Sequence, residues 1–384
     1  MLPLTIWMNM PSFHQDDLFT SLAGSGEVDL RVIFAKELAA ERVQMGWTAG
    51  ARRHSHHTLR TPRAFTEALN IARRERDRLH IVNGVWAEPA FAAALTALNL
   101  MGSRFIIYSE GPDDPQRRSV PRQLLRVTFG QWIVRRAAGI LAVSHIAGDF
   151  YRELGCSPDH LYPFGYFRAR PQELSIAGHA VNTTRTEIVF VGRVTRPKGV
   201  DVLLDALCPL FTEYAGLHLT VIGDGQECET LVRQAAAHGF QDRLTLTGVV
   251  PANEVLSCVA KADLLVLPSR WDGWGMVINE ALTVGVPVIA SNVCGASDLI
   301  RHDVNGYVFE NEDAKGLRDY LRRFCDQSPA QRMAMRRAAL VTGESIDAEV
   351  AARYLVACLK HVAGLIPEKP VAPWLAPSLL EAER

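Results

Sequence analysis

Two glycine-containing loops in the second half of the chain carry residues suited to binding an anion. The first runs from Gly192 to Gly199 and includes Arg193 and Lys198. A glycine lets the backbone approach a ligand closely, and the two cations lie within reach of one diphosphate, which arginine grips as a fork and lysine as a point charge. A solvated basic loop has the same composition, so this loop alone is not specific.

The second loop, Ser269-Arg-Trp-Asp-Gly-Trp-Gly275, leads from an apolar segment into a predicted helix. Its glycines, Gly273 and Gly275, free the backbone, and the amides at the helix start favour an anion. Asp272 can accept a hydrogen bond from a sugar hydroxyl, and Glu280, eight positions later, from a ribose diol. An N-capping aspartate and a surface glutamate are the ordinary alternatives. The two loops together predict a diphosphate-bearing ligand, with a nucleotide sugar favoured.

Alternating apolar strands and helices in both halves of the chain predict the scaffold for these loops. Short apolar runs such as 105–108, 139–143, 187–191 and 264–267 are typical of strands covered on both faces. The pattern predicts an N-terminal Rossmann-like domain over residues 1–165, a linker over 166–186 and a second Rossmann-like domain over 187–345. A tail from about 346 to 384 is expected to pack back on the first domain. Two doubly wound α/β domains facing each other across a cleft would place the ligand between their strand ends.

Composition narrows the functional class. The chain has 384 residues, 48% hydrophobic and 22% charged, with a formal net charge of −1, which is typical of a globular enzyme and gives no nucleic-acid footprint. Its seven cysteines are scattered, which favours reduced thiols. No leader peptide and no apolar run of about 20 residues is recognisable. A cytoplasmic location is therefore expected.

The spacing of these motifs resembles the C-terminal domain of retaining glycosyltransferases of family 4, which have the two-domain GT-B fold. That family shows a Gly-Arg loop ending in Lys-Gly, then Gly-Asp-Gly, a Thr-Gly-x-Val-like segment and Pro-Ser-x-x-Glu-Gly-Phe-Gly followed by a second Glu. This chain has the corresponding segments at 192–199, 223–225, 247–251 and 268–280. The resemblance covers about a third of the chain.

The resemblance implies a role for each matching position. Arg193 and Lys198 would hold the diphosphate, Glu280 the ribose, and Asp272 the donor sugar. The segment near Val250 would frame the base. The expected backbone and loop contacts to the donor come from Gly192, Gly273, Trp274, Gly275, Met276 and Val277.

This chain departs from the family pattern in three places. Asp272 is one methylene shorter than the usual Glu, and Trp274 replaces the commoner Phe. The N-terminal half matches poorly, because the first loop lacks paired glycines and a family histidine is replaced by a segment containing Glu110. Glu110 is a candidate catalytic residue facing donor or acceptor, with a structural acid as an equal alternative.

Two further clusters allow more than one interpretation. Residues Arg117–Arg136 combine arginines with aromatic residues, which predicts either contact with an anionic membrane surface or a helix packed on the N-terminal sheet with a solvated basic face. In the cluster 54–57, the adjacent His56 and His57 cannot readily share one tetrahedral ion. No metal and no other cofactor is expected.

The resemblance therefore implies a retaining glycosyltransferase, which is expected in the cytoplasm and is peripheral on the inner face of the membrane if the basic segment makes contact. It would move a sugar from a nucleoside-diphosphate sugar to a hydroxyl of a glycan or lipid-linked acceptor, in cell-envelope polysaccharide or glycoconjugate synthesis. Alternatives are a GT-B sugar phosphorylase, a nucleotide-sugar epimerase, and a catalytically dead protein that binds sugar nucleotides. A dinucleotide oxidoreductase is disfavoured, because no Gly-x-Gly-x-x-Gly follows the first strand.

Overall fold

The computed structural model describes residues 1–44, 48, 50–60, 62–83, 88–111, 120–170 and 185–376. The chain divides into two compact units. The first contains residues 1–169 and 347–375, and the second contains residues 170–346 and 376–384. Most of the predicted linker, residues 171–184, lies outside the described residues.

The first unit is built on a parallel sheet of seven strands in the order β3-β2-β1-β4-β5-β6-β7. Its strands are β1 (Leu2–Met8), β2 (Val28–Phe34), β3 (Ser55–Thr58), β4 (Leu79–Val82), β5 (Phe105–Glu110), β6 (Gly139–Val143) and β7 (Leu161–Phe164). Its helices are α1 (Phe13–Gly24), α2 (Ala40–Gln44), α3 (Ala64–Arg74), α4 (Pro89–Leu100), α5 (Val120–Val134) and α6 (His145–Glu153). Strands β4 and β6 are buried along their whole length, as expected for strands with helices on both faces.

The second unit contains a parallel sheet of six strands in the order β10-β9-β8-β11-β12-β13. Its strands are β8 (Thr186–Val191), β9 (Leu217–Ile222), β10 (Leu244–Gly248), β11 (Leu264–Leu267), β12 (Val288–Ser291) and β13 (Gly306–Phe309). Its helices are α7 (Val200–Glu213), α8 (Cys228–Ala237), α9 (Ala252–Val259), α10 (Met276–Thr283), α11 (Ala314–Cys325) and α12 (Pro329–Ser345). The sequence-based prediction of two Rossmann-like α/β domains is confirmed.

The last helix of the described chain, α13 (Ala348–Val362), belongs to the first unit. It packs on α1, and its N-terminus is capped by the Asp347 carboxylate, which accepts a hydrogen bond from the Glu349 amide at 2.8 Å. Beyond it, the buried Trp374 lies 4.6 Å from Phe167 between ring centroids and 5.2 Å from Tyr354. This apolar contact fixes residues up to 375 on the first sheet.

Three short strands were not predicted from the sequence. The strand β3 contains two histidines, and β13 begins at a glycine, so neither has a strong apolar pattern. The strand β7 contains Pro163, which suits the edge of a sheet, where a missing backbone donor is tolerated.

Candidate active site

The two glycine loops follow neighbouring strands. The strand β8 pairs in parallel with β11, so the loops that begin at Gly192 and Pro268 leave the same edge of the sheet side by side. The connection after β8 leads outward to β9, while the connection after β11 leads to β12 on the other side. Such a reversal of strand order opens a crevice where open α/β sheets bind ligands.

Gly199 brings the two loops into direct contact. It ends the 3-10 turn Arg196–Lys198, has a φ of +67°, and begins α7. A Cβ at this position would lie 1.9 Å from the carbonyl oxygen of Pro268. Only glycine permits both this backbone conformation and this close approach.

The second loop is fixed by its neighbours and by a buried tryptophan. Gly295 donates a backbone hydrogen bond to the Asp272 oxygen at 3.1 Å, and Ala296 donates one to the Trp274 oxygen at 2.7 Å. The Trp274 side chain is 4% exposed, and its indole Nε1 donates to Asn279 Oδ1 at 2.9 Å. Trp274 therefore anchors the loop through its side chain.

Lys198 and Asp272 meet across the two loops. The Lys198 Nζ lies 2.6 Å from Asp272 Oδ2, and the two side chains are 22% and 17% exposed. A cation and a carboxylate predicted separately from the sequence thus form one half-buried pair. Arg193 is exposed at the end of β8 and makes no ion pair within the described part of the chain.

The start of α10 adds an electropositive surface to the same edge. Gly275 begins this helix with a φ of +89°, followed by Met276 and Val277 in the first turn. The first-turn amides of a helix have no partner within the helix, and the helix dipole favours an anion there. Glu280 lies in the second turn and is half-buried.

A third loop supports the first one from the opposite side. Val194 accepts from Glu227 and donates to the carbonyl oxygen of Asp224 at 2.9 Å. Cβ atoms added at Gly223 and Gly225 would lie 1.9 and 2.2 Å from the carbonyl oxygens of Gly192 and Val194. The Gly-Asp-Gly motif is therefore explained by close backbone packing. Val250, at the end of β10 on this side of the sheet, is half-exposed.

Glu110 belongs to the other unit. It lies at the end of β5 and is exposed, and its Oε1 accepts a hydrogen bond from the Tyr166 hydroxyl at 2.5 Å. Burial, and then the neighbouring carboxylate, raise the pKa of Tyr166, which therefore stays a donor to Glu110. In the first turn of α1 in the same unit, burial followed by repulsion from Arg168 and Arg42 lowers the pKa of His14 to about 3.

The histidine cluster and the basic helix show ordinary structural contacts where they are described. His57 Nε2 lies 2.8 Å from Glu67 Oε1, and His54 Nε2 lies 3.4 Å from Asp16 Oδ1. Across the described ranges, no group of three or more His, Cys, Asp or Glu residues is placed to hold a metal ion. No helix among the described residues combines the length and apolarity needed to cross a membrane.

The basic segment Arg117–Arg136, for which membrane contact and packing on the sheet were both open, falls partly outside the described residues, which omit 112–119 and the side chains of 120–126. Within α5, Ile133 is fully buried and Phe129 packs against the core of the first unit. The guanidinium of Arg136 lies 5.4 Å from the ring centroid of Trp132. This part of the helix is packed on the sheet.

Arg270 is the residue of the site that the sequence interpretation missed. It stands two positions before Asp272, yet it bonds to residues 69 to 74 positions away. Its guanidinium donates to both carboxylate oxygens of Asp201, each at 2.8 Å. The only signal in the sequence was an arginine inside a glycine loop, which by itself does not name a partner.

Comparisons with known proteins agree with this arrangement. Residues 171–340 match the family described as "Glycosyl transferases group 1". A glycogen synthase of Mycobacterium tuberculosis is 29% identical over 207 residues, which cover 53% of this chain and 49% of that protein. From the same species, a GDP-mannose-dependent alpha-(1-6)-phosphatidylinositol monomannoside mannosyltransferase is 33% identical over 142 residues, or 35% and 37% of the two chains. The chain thus spans half or less of the length of these relatives.

The fold extends the likeness to nearly the whole chain. The crystal structure of HepE from Anabaena in complex with UDP superposes with a TM-score of 0.69 at 16% identity, covering 94% of this chain and 100% of that one. At this identity the likeness concerns the fold alone. Residues 171–340 thus match the group 1 glycosyltransferase family, and the chain as a whole has the two-domain GT-B fold.

Proposed function

We propose that this protein is a retaining glycosyltransferase that takes a sugar from a nucleoside-diphosphate sugar and transfers it to a hydroxyl of a glycan or lipid-linked acceptor. Cell-envelope polysaccharide or glycoconjugate synthesis on the cytoplasmic side of a membrane is the setting that we propose. The observation that carries the proposal is the Lys198–Asp272 pair, at the switch point of the second sheet beside the start of α10.

At this edge of the second sheet, the reaction requires groups that stabilise a leaving diphosphate. Cleavage of the bond between the sugar and the phosphate leaves negative charge on the diphosphate oxygens. The Lys198 ammonium, the exposed Arg193 guanidinium and the amides of Met276 and Val277 supply fixed positive charge there. Fixed dipoles and cations of this kind lower the barrier because they need no reorganisation during the reaction.

Binding of the donor would exchange one partner of Lys198 for another. In the structure Lys198 is neutralised by Asp272. A diphosphate carries more charge than one carboxylate and competes for the ammonium. Asp272 is then available to accept a hydrogen bond from a hydroxyl of the donor sugar. The short aspartate side chain favours a sugar held close to the loop.

The remaining donor contacts come from the same sheet edge. Glu280, one turn into α10, would accept hydrogen bonds from the ribose, and Val250, at the end of β10, would frame the base. Gly192, with a φ of +148°, leaves room for the diphosphate at the end of β8. Glu110 is proposed for the acceptor side, where the hydrogen bond from Tyr166 orients its carboxylate.

Two measurements test the proposal. A thermal-shift screen against UDP, GDP, ADP and their sugars identifies the donor, because a ligand that binds only the folded state raises its stability. The base is left open, since one relative is named for GDP-mannose and one structural neighbour holds UDP. Incubation of the stabilising donor with candidate acceptors should then yield a glycoside that keeps the anomeric configuration of the donor, as read by NMR.

The same incubation separates the alternatives. Phosphate-dependent cleavage without acceptor would indicate a phosphorylase, and an epimerised donor would indicate an epimerase. Binding without turnover of any donor would indicate a catalytically dead binding protein. A product with inverted configuration would contradict the retaining assignment.

A further inference from the structure

Arg270 contacts the first glycine loop through both its backbone and its side chain. Its amide donates to the Pro197 oxygen at 2.8 Å, and its Nη1 donates to the Arg196 oxygen at 2.8 Å. These two carbonyls belong to the turn that presents Lys198. The second loop is therefore joined to the first immediately beside the Lys198–Asp272 pair.

The remaining donors of the guanidinium bind two carboxylates on two other elements. Nη1 and Nη2 bind Asp201 in the first turn of α7, and Nε binds Glu312 in the segment after β13, at 2.6 Å. The side chains of Arg270, Asp201 and Glu312 are 18%, 29% and 56% exposed. Arg270 thus connects three strand-to-helix segments that share one edge of the sheet.

The protonation states agree with a permanent pair. Burial alone would raise the pKa of Asp201, but hydrogen bonds and charge from Arg270 outweigh it and hold that pKa below its usual value. The hydrogen bonds to Asp201, and next those to Glu312, raise the pKa of Arg270 despite its partial burial. Both partners are charged throughout the neutral pH range.

We propose that Arg270 is a positioning residue of the nucleotide-sugar site: its guanidinium holds the turn of Lys198 against the loop of Asp272, so that both side chains address one ligand. This inference rests on the proposed function, because it assigns a purpose to the same two loops. Arg270 itself is bonded to protein groups and acts through Lys198 and Asp272.

The geometry requires arginine. Four of the five side-chain donors are used, and they bind three separate groups, namely the Arg196 carbonyl and the carboxylates of Asp201 and Glu312. Lysine offers three donors on a single tetrahedral nitrogen and cannot reproduce a fork. The substitution Arg270→Lys keeps the charge and removes this geometry, so it isolates the positioning role.

The chain offers a matched control. Arg322 on α11 makes a similar fork to Glu213 at the end of α7, with distances of 3.0 and 2.9 Å, and it contacts neither glycine loop. Arg322→Lys therefore removes a comparable surface pair on the same helix α7. Asp201→Asn serves as a second test variant, because it preserves the shape of the side chain and weakens the Arg270–Asp201 pair by removing the charge of the carboxylate.

The experiment compares the wild type, Arg270→Lys, Asp201→Asn and Arg322→Lys. Calorimetry measures the affinity of each for UDP, GDP and ADP well below its melting temperature, and amide hydrogen exchange is followed in residues 193–199 without nucleotide. We expect Arg270→Lys to lower the affinity for the nucleotide about 10- to 100-fold and to speed amide exchange in residues 193–199. A displacement of the Lys198 turn by about 1 Å is enough for losses of about this size. Asp201→Asn should act in the same direction, and Arg322→Lys should change affinity by about twofold or less.

Each other outcome decides a separate question. Unchanged affinity and exchange in Arg270→Lys would overturn the positioning role. Equal losses in Arg270→Lys and Arg322→Lys would also overturn it, since the effect would then be one of general stability. If the wild type binds none of the three nucleotides, the proposed function fails. In that case the exchange data alone test the positioning role of Arg270. Faster exchange in residues 193–199 in Arg270→Lys but not in Arg322→Lys would support this role, and any other exchange result would overturn it.

Discussion

Replacing Gly199 by alanine tests whether close contact between the two glycine loops sets the geometry of the site. The added Cβ would lie 1.9 Å from the Pro268 oxygen, whereas real Cβ contacts stay beyond 3.0 Å, so the loops must separate by about 1 Å. Left-handed backbone at a non-glycine residue costs about 1–2 kcal/mol. Forcing atoms into packed structure costs about 1–3 kcal/mol more. We therefore expect Gly199→Ala to lower the free energy of unfolding by about 3 kcal/mol.

Gly239→Ala is the control for backbone strain. Gly239 has a φ of +71°, nearly that of Gly199, but no atom lies within 4 Å of its added Cβ. This variant should lose only about 1–2 kcal/mol, the cost of the left-handed conformation. The difference between the two variants reports the collision with Pro268.

Urea unfolding of both variants, followed by circular dichroism, measures the two losses, and donor turnover measures the effect on the site. A separation of about 1 Å between the loops should reduce turnover about 100-fold in Gly199→Ala, with Gly239→Ala close to the wild type. Equal losses in the free energy of unfolding in the two variants would show that the loops can separate without further destabilising the protein. Wild-type turnover in a stably folded Gly199→Ala would refute the idea that loop spacing controls the chemistry.

Three further predictions concern single side chains. Lys198→Met should reduce turnover about 100- to 1,000-fold while the melting temperature changes little, since it removes one fixed charge from the transition state; near-normal kinetics would exclude that role. Asp272→Asn should keep or improve the affinity for the nucleoside diphosphate measured by calorimetry, because Lys198 is released from its ion pair, but it should lose turnover of the sugar nucleotide. Weaker nucleotide binding would contradict the idea that Asp272 competes with the diphosphate for Lys198. Burial lowers the pKa of His80 to about 4, and its neutral Nδ1 accepts a hydrogen bond from Trp7 Nε1 at 3.1 Å. The contribution of neutral His80 to the free energy of unfolding should therefore be present in full above about pH 6.5, and the protein should lose up to about 3 kcal/mol as the pH drops to about 4. In His80→Asn the urea midpoint should depend less on pH over that range, and an unchanged dependence would assign it to other groups.

The sequence was most informative where local patterns decide structure. Apolar runs predicted both sheets, and the strand–glycine–helix pattern placed Lys198 and Asp272 on loops that meet. The roles proposed for these residues remain predictions. The short strands β3, β7 and β13 were missed, because their pairing depends on neighbours far along the chain.

Contacts between distant segments were beyond the reach of local patterns. Nothing near Arg270 in the sequence indicates Asp201 or Glu312, which its guanidinium meets only after three loops reach one sheet edge. The same limit applies to Glu110, whose hydrogen bond comes from Tyr166, 56 positions later. Side-chain chemistry could be anticipated, but the choice of partner required the folded chain.

The path of the chain has a practical consequence for anyone who wishes to produce one half of this protein. A fragment that stops at residue 169 would lack α13 and Trp374 and would expose the apolar surface of α1 and Phe167 to water. Such a truncation should aggregate when expressed. Splicing residues 1–169 directly to 347–375 should restore the missing cover, whereas residues 185–346 of the second unit already form one uninterrupted stretch of chain.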